Sequence, residues 1–127
     1  MAETRPKRIL VVEDDPGYRD FFCAVLSPVY DVTMCETLED ALEKIEALKF
    51  DAILSDINLD AKTGLELLMT LRRKGRLEES PLLVCSSQSD AGTRQIVEGM
   101  GASGFIEKPC SADVLLSRID LALKKAP

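Results

Sequence analysis

Residues 10–17, LVVEDDPG, carry an apolar run straight into three adjacent carboxylates, Glu13, Asp14 and Asp15. Like charges this close repel and raise one another's pKa unless something positive joins them, so the triplet is either a solvated loop or one side of a cation site. Three more polar residues close apolar runs further on: Asp56 after DAILS, Ser86 after LLVC, and Lys108 just beyond GFI. Three carboxylates form a hard-oxygen donor set suited to Mg²⁺, which commonly joins carboxylates to a phosphoryl group. A carboxylate such as Asp56 can also attack phosphorus and become an acyl phosphate, with Lys108 and Ser86 offering a positive charge and a hydroxyl donor to the remaining oxygens.

That chemistry requires residues far apart in sequence to meet. Short apolar runs alternate with stretches of helical period, the pattern of repeated βα units around a parallel sheet. Five strands are predicted, roughly Arg8 to Val12, Tyr30 to Met34, Ala52 to Ser55, Leu82 to Cys85 and Gly104 to Ile106. The second alternates apolar and polar residues like a half-exposed strand near an edge, and the others read as buried on both faces.

Helices fill the intervals. Pro16 fits a first helical position after an acidic cap, and Thr37 with Asp40 approximates a capping box before a stripe of Leu38, Leu42, Ile45 and Leu48. A third helix carries Leu65, Leu68 and Leu71 and ends near Gly75. A fourth starts about Asp90 with Ile96, Val97 and Met100, and a fifth about Ser111 with Leu115, Ile119 and Ala122. The expected fold is an α/β sheet of (βα)5 type. The carboxyl ends of its parallel strands share one edge, where ligands of such sheets bind, so Glu13, Asp14, Asp56, Ser86 and Lys108 are expected to converge there. Taken singly, each has an ordinary reading as a cap, a turn residue or a solvated charge. Their joint placement favours a site.

Composition narrows the function classes. The chain has 127 residues, 46% hydrophobic and 30% charged, which fits one globular domain. A net charge of -6 disfavours direct nucleic-acid binding, and no apolar run is long enough to span a bilayer. The polar start lacks a signal-peptide core, so a cytoplasmic location is expected. Cys23, Cys35, Cys85 and Cys110 follow no metal-ligand spacing and read mostly as small buried thiols. The chain has no histidine, which excludes a His-phosphorylated intermediate or a His general base within it.

The stretches ILVVEDDP, DAILSDINLDAKTG, PLLVCSSQ and GASGFIEKPC, in this order and spacing, resemble the receiver domain of two-component response regulators. The resemblance implies a doubly wound, flavodoxin-like sheet of order 2-1-3-4-5, with residues 1–6 a flexible tail and 7–127 the receiver. It implies Asp56 as phosphoacceptor, Glu13 and Asp14 as the acidic pair, and the Asn58 backbone carbonyl as a further Mg²⁺ ligand. Ser86 and Lys108 match the phosphoryl-contacting hydroxyl and lysine, Phe105 the aromatic switch position, and Lys108-Pro109 a peptide bond usually cis. Asp15 falls outside this set and reads as a helix-start charge.

On this likeness the chain is a signalling receiver and not an enzyme, supporting only self-phosphorylation and autodephosphorylation at Asp56. Its expected partners are a sensor histidine kinase or histidine phosphotransfer protein, and a downstream effector or a missing C-terminal output domain. The helix 4, strand 5 and helix 5 face would carry the output, and the likeness leaves room for a phosphorylation-dependent dimer. The chain departs from the family at Asp60, where proline is frequent, and at Cys110, where a larger apolar residue is usual. Asn58 and Gln88 occupy positions that tune acyl-phosphate hydrolysis. The alternatives are a phosphorylation-independent interaction module of the same fold, and a flavin-binding or hydrolytic enzyme of similar architecture.

Overall fold

A computed structural model describes residues 5–57, 63–87 and 91–125; Asn58, Asp60, Gln88 and Asp90 lie outside them. Five strands alternate with five helices: β1 (Arg8–Val12), α1 (Pro16–Leu26), β2 (Asp31–Cys35), α2 (Leu38–Ala47), β3 (Ala52–Asp56), α3 (Thr63–Arg73), β4 (Leu82–Ser86), α4 (Ala91–Gly99), β5 (Gly104–Glu107) and α5 (Ala112–Lys125). All strand pairs are parallel and the sheet order is β2-β1-β3-β4-β5, the expected (βα)5 arrangement.

Side chains on successive strand residues point to opposite faces, and this divides the interior in two. Leu10, Val12, Ile53 and Val84 meet Ile45 of α2, Leu68 and Leu71 of α3 and Val97 of α4 on one face. On the other, Ile9, Val11, Leu54 and Cys85 meet Phe22 and Leu26 of α1 and Leu115 and Ile119 of α5. Burial on both faces explains why β1, β3 and β4 read as unbroken apolar runs. The edge strand β2 is half exposed, as its alternation predicts.

Local signals set the helix ends. Asp15 caps α1, its carboxylate accepting from the Tyr18 N–H at 2.9 Å with Pro16 in the first turn. Thr37 caps α2 by accepting from Asp40 N at 3.1 Å. Ser111 caps α5 through Val114 N at 3.1 Å. After α3 the chain turns at Gly75, whose φ of 68° suits a residue without a Cβ. Gly75 N donates to Arg72 O and Arg76 N to Leu71 O, the paired bonds of a Schellman ending.

Several expectations need correction. β2 begins at Asp31 and not Tyr30, because Tyr30 N still donates to Leu26 O in the turn leaving α1. Leu48 is 42% exposed, since α2 stops at Ala47 and the extended backbone of Leu48 turns it off the stripe. Ile96 is 59% exposed, Met100 falls just beyond α4, and of the three expected stripe residues Val97 alone is completely buried. Leu67, which the periodic reading passed over, is buried in α3. All four cysteines are free, Cys35 and Cys85 buried and Cys110 half-buried, but Cys23 is exposed on α1. Among the described residues no helix is long and apolar enough to cross a membrane.

Candidate functional site

Strand register brings the reactive residues together. Val12 pairs with Ser55, so Glu13 and Asp56, one residue further on each strand, stand side by side at the carboxyl edge. Asp56 in turn pairs with Cys85, which places Ser86 next along β4. Lys108 follows β5 directly, its backbone N–H donating to Ser86 O at 2.9 Å. The Lys108–Pro109 bond is cis, as expected.

One carboxylate oxygen from each of Glu13, Asp14 and Asp56 lies within 4.8 Å of the other two. Glu13 is completely buried and Asp56 is 8% exposed, whereas Asp14 is at the exposed rim. The Lys108 ammonium donates to Glu13 Oε1 at 2.6 Å and to Asp56 Oδ2 at 2.8 Å, with a side chain only 6% exposed. Glu13 Oε2 accepts from Asp15 N at 3.2 Å, so the residue that caps α1 also braces the acidic pair.

The electrostatics follow from this packing. Burial, the largest influence, pushes the Glu13 carboxyl up to about 7 despite the Lys108 hydrogen bond, and the Asp56 charge adds to the rise. For Lys108 burial pulls the other way, but the hydrogen bonds to Asp56 and Glu13 outweigh it and hold the ammonium charged above its ordinary range. One ammonium faces three carboxylates. The donor set is all oxygen and carries excess negative charge, which fits a small hard cation such as Mg²⁺.

Glu13, Asp14, Asp56 and Lys108 therefore meet as expected, and Ser86 is buried beside them at the end of β4. Asn58 lies outside the described residues. Phe105 is the second residue of β5. It is buried in the core face shared with α4, with the Arg94 guanidinium 5.2 Å from its ring centre and Arg118 Nη1 donating to its carbonyl at 2.9 Å. Sequence reasoning missed Tyr18, whose ring centre lies 4.1 Å from Lys108 Nζ. The available signal was an aromatic residue in the first turn of the helix that leaves the acidic triplet.

The sequence matches the response regulator receiver domain family over residues 9–120, and the chain belongs to that family. It is 32% identical over 120 residues to the transcriptional regulatory protein DltR of Streptococcus agalactiae, covering 94% of this chain and 53% of that protein. It is 29% identical over 124 residues to the transcriptional regulatory protein FixJ of Bradyrhizobium diazoefficiens, covering 97% of this chain and 60% of FixJ. It is also 29% identical over 120 residues to hybrid signal transduction histidine kinase D of Dictyostelium discoideum, covering 93% of this chain and 8% of the kinase. The chain thus spans little more than half of either regulator and a small part of the kinase.

Among solved structures, a CheY-like response regulator receiver domain protein of Methanospirillum hungatei superposes with a TM-score of 0.85 at 30% identity, covering 95% of this chain and 96% of that one. Chemotaxis response regulator CheY4 of Vibrio cholerae superposes at 0.84 with 25% identity, covering 92% and 98%.

Proposed function

We propose that this receiver is a phosphoacceptor switch in which Asp56 takes a phosphoryl group from a phosphohistidine on a sensor kinase or histidine phosphotransfer protein. The single observation that carries the reading is the Lys108 ammonium joining Glu13 and Asp56 where Asp14 also converges. A carboxylate oxygen of Asp56 forms a bond to phosphorus as the P–N bond of the donor breaks. The electron pair of that bond stays on the imidazole, which takes a proton from solvent. Lys108 turns its ammonium from Asp56 Oδ2 to a phosphoryl oxygen, and the Ser86 hydroxyl donates to another.

Glu13, Asp14, Asp56 and the Asn58 carbonyl are the residues proposed to hold Mg²⁺. Bound there, it supplies positive charge that offsets the repulsion between Asp56 and the incoming phosphoryl oxygens. Water attack on the acyl phosphate resets the switch, so self-phosphorylation and its reversal are the only chemistry assigned to the chain. The readout is the face of α4, β5 and α5. A cleft of about 380 Å³ lies there, bordered by Arg94, Phe105, Arg118 and Leu121. Ser86 and Phe105 couple this face to Asp56, and a downstream protein or output domain in the cytoplasm reads it.

Acetyl phosphate with Mg²⁺ tests the assignment. Intact-mass measurement is expected to show one added phosphoryl group on the wild type and none on Asp56→Asn. Equal labelling of the variant would reject Asp56 as acceptor. No labelling of the wild type by acetyl phosphate or a phosphohistidine donor would favour a phosphorylation-independent module.

A further inference from the structure

Lys108 is enclosed on three sides. Glu13 Oε1 and Asp56 Oδ2 accept its hydrogen bonds, and the Tyr18 ring covers the ammonium at 4.1 Å. An ammonium is strongly hydrated in water, and here the negative face of an aromatic ring stands where solvent would. The ring is itself fixed. Its backbone N–H is bound by the Asp15 cap, and it packs tilted against Phe22 with centroids 5.7 Å apart, Phe22 being 1% exposed.

The three contacts differ in tolerance. Hydrogen bonds weaken steeply as their angle opens, so the ammonium loses Asp56 Oδ2 once it swings towards another acceptor. Attraction to a ring face requires no particular N–H direction and persists through such a swing while the ammonium stays over the face. Without the ring, the ammonium keeps only its two carboxylate contacts, Glu13 at 2.6 Å and Asp56 at 2.8 Å.

We propose that Tyr18 is a positioning residue for phosphoryl acceptance: its ring holds the Lys108 ammonium over the site while the ammonium exchanges Asp56 Oδ2 for a phosphoryl oxygen. This rests on the function proposed for Asp56. The contact itself leaves a signature in the unphosphorylated protein, because ring current shifts the ε-methylene protons of a lysine held over an aromatic face to high field.

The test compares wild type, Tyr18→Phe and Tyr18→Leu in two measurements. In the first, labelling by acetyl phosphate is timed at saturating Mg²⁺. Tyr18→Leu is expected to slow it on the order of threefold to tenfold, while Tyr18→Phe, which keeps the ring face, stays within about twofold of wild type. In the second, NMR is expected to show the Lys108 ε-methylene protons at high field in wild type and Tyr18→Phe, and at their ordinary position in Tyr18→Leu. Wild-type rates in Tyr18→Leu, or equal slowing in both variants, would overturn the positioning role and leave Asp56 as acceptor. Ordinary ε-methylene shifts in the wild type would overturn it without any variant having to fold. A wild type that takes up no phosphoryl group would overturn both this role and the proposed function.

Discussion

The Arg94 guanidinium lies over the Phe105 ring, 5.2 Å from its centre, while its Nη2 reaches Glu107 Oε1 at 3.3 Å. An arginine from α4 thus closes over an aromatic side chain from β5 that is only 2% exposed. Truncating the ring leaves a cavity among apolar neighbours, so Phe105→Ala is expected to cost about 3–5 kcal/mol in urea unfolding. Arg94 is 43% exposed along its side chain, and solvent screens both of its contacts, so Arg94→Ala is expected to cost less than about 1 kcal/mol. Equal losses would mean that Arg94 holds the fold and does not simply cover the ring.

The proposed metal site divides the acidic triplet. Asp14→Asn and Asp56→Asn are each expected to weaken Mg²⁺ affinity by at least about tenfold, because each removes charge from the donor set. Asp15→Asn keeps a capping side chain and is expected to change affinity little; Asp15→Ala is expected to lower stability by about 1 kcal/mol. Calorimetric Mg²⁺ titration checks the division, and an equal loss of affinity at Asp15 would contradict it.

Burial of Glu13 has a stability cost that depends on pH. Folding raises this acid from an ordinary 4.5 to about 7, so in EDTA the native state binds its proton more tightly than the unfolded chain does. The penalty is absent below the unfolded value, grows as pH rises from 4.5, and is complete above about 7. Glu13→Gln keeps an acceptor for Lys108 without the charge. The variant is therefore expected to gain on wild type as pH rises from 5 to 8, as read by urea unfolding in EDTA at both values. A constant difference between the two proteins across that range would refute the claim.

The thiols are expected to separate by exposure. Cys23 is open to solvent and should alkylate rapidly in the folded protein, Cys110 more slowly, and Cys35 and Cys85 only on unfolding. Burial foremost pushes Cys35 up to about 12 and Cys85 higher still. Unfolded thiols ionise first, so stability is expected to fall as pH rises from 9 towards 12. Mass mapping after a brief alkylation pulse reads the order of reactivity.

Much of this molecule was legible in the sequence because the strongest local signals coincide with the strongest physical constraints. Ile9 to Val12 read as a buried strand because both faces of β1 are covered, and Asp15 followed by Pro16 read as a helix start because the cap geometry is local. Convergence of Glu13, Asp14 and Asp56 followed from parallel topology, which needs no atomic detail. The Tyr18–Lys108 contact was invisible, since it depends on how far the Lys108 side chain reaches from the end of β5 towards the first turn of α1. Ile96 and Leu48 were misjudged for a related reason: periodicity defines an apolar stripe but not where a helix leaves the sheet that would cover it.

The Glu13–Lys108 ion pair joins residues 95 positions apart. Closing so long a span costs chain entropy that local contacts cannot offset until the intervening strands are in place. Lys108 follows β2, β3, β4 and β5 along the chain, so the pair closes only once all four have been made. The charged centre is therefore a seal on completed assembly: a chain interrupted before β5 lacks Lys108, and with it the positive charge that meets Glu13 inside.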